Sequence, residues 1–287
     1  MKRKLILSAI GDDEGIDLYN DEGIRLVSTV GIGFGADVGV MELYDYDGSM
    51  FQGSRLRQRG ISIVVRYVGA RWLHEAHKGR LLRLLGNKSE IRLRYVTDRL
   101  DVYIDCRTEQ ADPPPSTYPM VTQISLVCPD PYWRASGDNT VMLAGTIPCW
   151  EFPFEIPPEG MEFGRIKAEL ITEVYNGGSA DSGAVWDITA NTPCSNPKIE
   201  NIVTGEFMQI ACEMERGDVL EICTEQGKKS IMFTRGGVAQ NYFNYRVNGF
   251  SFLGVARGLN IFKYTLDEGD EHAVDITCRF DTKYGGI

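Results

Sequence analysis

Short runs of β-branched and aromatic residues recur along the whole chain, separated by glycine, proline, asparagine and aspartate. This rhythm constrains the fold more than any other feature, because it is the pattern of an all-β sandwich or barrel. In the first part the runs are Ile61 to Tyr67, Ile91 to Val96, Val102 to Cys106, Val121 to Val127 and Ile166 to Val174. Later come Val185 to Thr189, Met208 to Met214, Val219 to Cys223, Ser230 to Thr234, Ile261 to Leu266 and Ala273 to Phe280. One stretch breaks the period. From Trp72 to Leu85, residues Trp72, Leu73, Ala76, Leu81, Leu82, Leu84 and Leu85 fall along one broad helical face, and Gly86-Asn87 supplies the stop. The expectation is a mainly β protein in which a single helix packs on one β domain.

A chain of 287 residues is comfortable as two domains. Pro113-Pro114-Pro115 cannot sit in a central strand and reads as an exposed connector. Weak periodicity and many Pro, Gly and aromatic residues around Trp150 to Gly160 place the junction there. The division is then residues 1–134, a β domain carrying the helix; 135–164, the junction; and 165–287, a second β domain. The hydrophobic fraction of 43% is that of a folded chain. No apolar run is long enough to span a membrane, and the stretch Leu5 to Ile10 is too short for a secretory signal. A soluble protein made in a cytoplasm is expected, its start a basic tip followed by an edge strand.

Charge is unevenly placed. The formal net charge is −10, which speaks against nucleic acid as the main partner of the whole chain, because phosphate binding needs a basic field, and no sequence-specific nucleic acid is expected. Residues 51 to 110, however, hold 13 Lys or Arg against 6 Asp or Glu, whereas residues 150 to 287 hold 12 against 21. Such asymmetry suits association with further copies, or with unlike partners at two ends.

Catalytic motifs are weak throughout. Gly31-Ile32-Gly33-Phe34-Gly35-Ala36 matches a dinucleotide fingerprint in spacing, but no amphipathic helix follows it, so a flexible loop or bulged strand is expected. His74 and His77 could share a helical face as a metal pair, yet His272 is the only other histidine, and solvated helix surface is the expectation. Glu213 with Glu215, and Glu151, Glu155 and Glu159 beside aromatics, offer carboxylate pairs without singling one out. Seven cysteines, odd in number and without a C-x-x-C pair, point to buried thiols rather than disulfides or zinc. No G-x-S-x-G elbow is present. No enzyme activity, cofactor or metal is expected.

The arginines show more order. Arg55, Arg57 and Arg59 alternate, as do Arg92 and Arg94. Three readings stay open: the wet side of a half-buried sheet, guanidinium forks for carboxylates of a neighbouring subunit, or contact with DNA in a channel.

The order of motifs resembles the distal tail protein family of long-tailed phages of Gram-positive hosts. Ser125-Leu126-Val127-Cys128-Pro129-Asp130-Pro131-Tyr132-Trp133 closes the first β part, and its Asp130-Pro131-Tyr132-Trp133 tetrad is the most specific mark. Tyr46-Asp47-Gly48, then Arg55, then Ile61-Ser62-Ile63-Val64-Val65 resemble a family stretch upstream. Downstream, Asn196-Pro197-Lys198-Ile199-Glu200-Asn201 through Thr204-Gly205, then Arg216-Gly217-Asp218-Val219, and Gly258-Leu259-Asn260-Ile261 do the same. Cys223-Thr224 departs from the pattern, which often has an acidic residue before the threonine. The resemblance implies a structural virion protein at the distal end of the tail. It implies a homohexameric ring, built mostly by first domains, that joins tail tube protein to the tail-tip hub and its receptor-binding parts, and a galectin-like second domain. Arg55, Arg57, Arg59, Arg92 and Arg94 are then candidates for the subunit interface. The other reading is a carbohydrate-binding module that stacks sugars on exposed aromatics such as Trp150 or Trp186.

Overall fold

The computed structural model describes residues 3–11, 15–44, 47–86, 90–112, 120–137, 139–148, 164–167, 171–270 and 272–287, the side chains of 145–148 and 164–167 excepted. Two units emerge: residues 1–136 with Tyr284–Ile287, and Gly137–Lys283. The boundary between Ser136 and Gly137 falls within the segment 135–164 expected as the junction. The first half of that segment forms a strand of the second unit, and residues 149–163, with Trp150 and the Glu151, Glu155 and Glu159 group, lie outside the described residues, as do Asn87 and Pro113-Pro114-Pro115. Among the described residues no helix is long and apolar enough to cross a membrane.

The strands of the first unit are β1 (Lys4–Ala9), β2 (Gly15–Asp17), β3 (Ile24–Val30), β4 (Ala36–Glu42), β5 (Ser49–Leu56), β6 (Arg59–Tyr67), β7 (Glu90–Val96), β8 (Asp101–Asp112), β9 (Val121–Cys128) and β10 (Trp133–Ala135). All but β4 and β5 join one antiparallel sheet along the path β2-β1-β7-β8-β9-β6-β3, with β10 beside β8. The long β8 pairs with β7 up to Arg107 and with β9 beyond it, and the register shifts between Thr108 and Gln110, so the sheet turns a corner on this strand. Leu18 then donates to Leu5 O (2.8 Å) and accepts from Leu26 N (2.7 Å), linking the two ends of the path. Alternation places Ile61, Ile63, Val65 and Tyr67 of β6, Ile124 and Leu126 of β9, and Leu5 and Leu7 of β1 in one buried core. β1 lies between β2 and β7, not at the expected edge.

Helix α1 (His74–Leu84) covers part of this core with Leu81 and, just past its end, Leu85. Its apolar face is narrower than the spacing suggests. Residues Arg71–Leu73 form a 3-10 turn, which is out of phase with the α-helix, and Trp72 is left 78% exposed. His74 is buried rather than solvated, its ring 6.3 Å from that of Tyr67 and both nitrogens without a hydrogen bond among the described residues. No cluster of metal-ligating side chains occurs among the described residues.

The second unit comprises β11 (Asn139–Pro148), β12 (Gly164–Lys167), β13 (Ile171–Asn176), β14 (Ala184–Ala190), β15 (Cys194–Ser195), β16 (Lys198–Asn201), β17 (Phe207–Gln209), β18 (Glu213–Met214), β19 (Val219–Cys223), β20 (Ser230–Arg235), β21 (Val238–Asn241), β22 (Gly258–Thr265) and β23 (Val274–Phe280). A sheet ordered β12-β11-β23-β14-β19-β20-β21 faces one ordered β13-β22-β16-β17 across a shared core. Trp186 of β14, fully buried, meets Phe262 of β22 edge-on at 4.9 Å and donates its indole N–H to Leu253 O (3.0 Å). The runs Ile166 to Val174 and Met208 to Met214, each read as one strand, are each two.

Candidate functional site: an exposed hairpin on a buried arginine

Among the described residues β4 and β5 pair only with each other, in a ribbon apart from the main sheet of the first unit. Val38 opposes Ser54 and Val40 opposes Phe51, so Ala36, Val38, Val40, Phe51 and Leu56 share one face of the ribbon. Nothing described covers that face: Val38, Val40 and Phe51 are each more than half exposed, and Tyr44, following β4, is 95% exposed. A two-stranded ribbon is marginal in water by itself, and an uncovered apolar face on free strand edges marks a surface for association. The opposite face holds Asp37, which pairs with both Arg55 (3.7 Å) and Arg57 while the two guanidiniums stay largely in solvent.

Arg59, two residues further on, goes inward. β5 ends at Leu56 and β6 begins at Arg59, so the alternation read across all three arginines is broken between them. The Arg59 guanidinium is buried in a cradle of backbone carbonyls. Nε donates to Pro131 O (2.8 Å), one terminal nitrogen to Gly31 O (3.2 Å), Ile32 O (3.1 Å) and Gly33 O, and the other to Gly285 O. Burial lowers its pKa from the ordinary arginine value, yet a guanidinium stays charged. The glycine-rich run that mimicked a nucleotide motif is therefore the floor of this cradle. Gly31 has φ +94°, and a Cβ there would lie 2.1 Å from Gly60 O, so no side chain fits.

The Asp130-Pro131-Tyr132-Trp133 tetrad serves the same place. Asp130 accepts the Tyr132 amide (3.1 Å) and an Arg134 N–H (2.9 Å), fixing the turn that presents Pro131 O to Arg59. Trp133, fully buried, donates its indole N–H to Ile32 O (3.2 Å). Sequence reasoning valued the tetrad but had no means of connecting it to Arg59, because hydrogen bonds to carbonyls leave no residue signature.

The other two candidate arginines lie elsewhere and are already engaged. Arg92 forks onto Asp105 (2.7 and 3.0 Å) and lies 3.9 Å over the Tyr103 ring, while Arg94 forks onto Asp101. With the Arg107 and Glu90 pair they form a ladder across β7 and β8. The structure thus does not gather the five arginines into one surface.

In the second unit the singled-out residues are turn formers. Asn196, the one non-glycine with positive φ (49°) among the described residues, accepts Cys212 N (3.0 Å) and donates to Asp267 (2.8 Å), with Pro197 fixing the next bond. Gly217 supplies positive φ, and Asp218 closes that turn by accepting Glu215 N (2.8 Å) and two N–H groups of Arg235 (2.9 and 2.6 Å). Thr224 accepts Ala184 N (2.8 Å) and donates to Ala184 O (3.1 Å), locking β19 against β14. Glu215 lies beyond β18, so it and Glu213 do not share a strand. Trp186 offers no exposed face to a sugar. The six described cysteines are free thiols, five of them buried; Cys149 lies outside the described residues.

No protein-family model matches the chain, and no curated protein sequence does. Solved structures do. One is the Dit protein of SPP1, described as a paradigm of the hub adsorption apparatus in phages that infect Gram-positive hosts, with TM-score 0.68 at 12% identity over 99% of each chain. Another is a chain of the phage P2 baseplate in its activated conformation with Ca, with TM-score 0.55 at 12% identity over 100% of each chain. At such identities the likeness shows the fold, and it extends through both units.

Proposed function

We propose that this chain is a structural subunit of a phage tail tip, whose copies close into a ring between the tail tube and the tail-tip hub. The single observation that carries this reading is the fold shared with SPP1 Dit over 99% of both chains. The exposed ribbon supports it independently. A head-to-tail ring needs two different surfaces on each copy, and the ribbon, with an uncovered apolar face on one side and two arginines around a single aspartate on the other, is suited to be one of them. The surplus of basic residues in 51–110 and of acidic residues beyond 150 adds charge complementarity between copies or partners. Six copies per ring, tail tube protein on one side and the hub with its receptor-binding parts on the other, are the assembly this reading specifies. Catalysis has no part in it.

The test is the mass of the purified protein in solution, by light scattering after size exclusion at low and moderate salt, alone and mixed with tail tube protein. A hexamer, or a monomer that becomes one beside tube protein, is expected, and it loosens as salt rises. A chain that stays monomeric in both settings overturns the ring.

A further inference from the structure

We infer that Arg59 is the positioning residue of the β4–β5 ribbon: its guanidinium, held by carbonyls of Pro131, Gly31, Ile32, Gly33 and Gly285, fixes the direction in which the ribbon leaves the first unit.

The ribbon has only two covalent attachments to the body, the run from Gly31 to Gly35 on its way out and Arg57-Gln58 on its way back. A flexible run with three glycines would by itself let such a ribbon swing. Arg59 sits at the return attachment and binds three consecutive carbonyls of the outgoing one, so a single rigid fork ties the two strands of the root together. The same fork ties that root to the tetrad through Pro131 and to residue Gly285 of the chain's last segment in this unit. Trp133 and the Ile287 amide (3.4 Å) add further donors to Ile32 O. Each acceptor is a backbone atom, so what the arginine holds is the path of the chain rather than a side chain.

Arginine suits this task and lysine does not. A guanidinium presents five N–H donors in one plane, whereas an ammonium has three on a tetrahedral centre and a shorter reach. Five carbonyl oxygens around one cation cannot all be served by lysine. Among the described residues the cradle's hydrogen-bond acceptors are all carbonyls, whose dipoles converge on the charge.

The consequence for assembly rests on the ring reading above: a ribbon pointing in one direction meets the next copy without first giving up orientational freedom. The experiment keeps the two ideas apart. In the full chain, spin labels carried by unnatural amino acids at Ser49, on the ribbon, and at Asp98, in the β7–β8 turn, report their separation after dilution into unlabelled protein. Wild type is expected to give one narrow distance. Arg59→Lys is expected to lose it for a broad distribution while the far-ultraviolet spectrum is retained, and self-association falls by about tenfold. An equally narrow distance in Arg59→Lys, or a wild-type distribution as broad as the variant's, overturns the inference. A broadened distance with unaltered association upholds Arg59 as the positioning residue and removes the ribbon from the assembly. Should Arg59→Lys fail to fold, Arg59→Gln, which leaves no charge to bury and only two N–H donors, is read in the same way, with broadening expected and an unaltered distance overturning.

Discussion

The β4–β5 and β7–β8 ribbons both carry arginines at alternate positions in a basic stretch, and their sequences invite one interpretation for both. Structurally they differ in what is left over. On β7–β8 each arginine has its own carboxylate, Arg92 with Asp105, Arg94 with Asp101 and Arg107 with Glu90, and the other face of the ribbon is buried in the core through Ile91, Leu93, Val102 and Ile104. On β4–β5 two arginines share Asp37, and the apolar face meets nothing described. The first ribbon is complete within the chain. The second leaves an apolar face uncovered among the described residues. On the ring reading proposed above, what distinguishes the contact surface is charge and apolar area left unmatched within the chain, not the arginine pattern.

The strongest way to break this comparison is to make the β4–β5 face polar. Val40→Asp with Phe51→Asp places two carboxylates on opposed positions of the exposed face. Association should weaken at least about 100-fold, roughly 2.7 kcal/mol. The stability of the chain should stay within about 0.5 kcal/mol of wild type, because neither side chain is buried. Sedimentation over a concentration series reads the first and calorimetry the second. Association as strong as wild type would show that the ribbon's apolar face is not the contact.

Much of the architecture was legible in advance, for a reason visible strand by strand. In β6, β9, β14, β19 and β23 one side of the strand is buried, so alternation is written into the residues. In β4 both sides are exposed, so the alternation of Ala36, Val38 and Val40 does not report burial within the chain, and β5, whose register against β4 shifts, shows no period to read. Arg59 failed for a different cause. It follows Arg55 and Arg57 at the same interval, but a break in the strand lies between, and no local pattern announces such a break. Trp72 misled because hydrophobicity suggested burial, while the 3-10 turn carrying it faces solvent. The tetrad and the Gly217-Asp218 turn were recognisable as motifs, although their partners, Arg59 and Arg235, are distant in sequence.

A buried carboxylate with its own arginine gives the comparison a scale. Asp218 is buried and Arg235 half exposed. Burial alone would raise the Asp218 carboxyl, but the Arg235 fork and the Glu215 amide outweigh it, leaving its pKa below the ordinary carboxylate value. The stabilisation is therefore complete above the unfolded value of about 3.9 and lost as pH falls through the lower folded one. Asp218→Asn should cost about 2 kcal/mol at neutral pH, the worth of hydrogen bonds to a charged group. That difference from wild type should shrink on acidification below about pH 4, as the wild-type carboxyl takes up its proton. Denaturant titrations at several pH values measure it. A difference that stays constant with pH would assign the loss to the turn geometry rather than to the charge.

The smallest effects separate the two arginine ribbons directly. Arg92→Gln breaks an exposed fork, a kind of pair worth at most about 1 kcal/mol, and the stacking on Tyr103 adds about 0.5 kcal/mol at an exposed site. Its cost should appear in stability and leave association and its salt dependence untouched, since Asp105 then simply faces water. Arg57→Gln should do the reverse. Asp37 keeps Arg55 as a partner, so the fold loses little. A guanidinium that lies largely in solvent in the single chain is instead available to a carboxylate of another copy, and its removal should weaken association about threefold to tenfold and flatten its response to salt. If Arg92→Gln alters association and Arg57→Gln does not, the complete ribbon rather than the incomplete one makes the contact, and the apolar face of β4–β5 must be covered by some other partner.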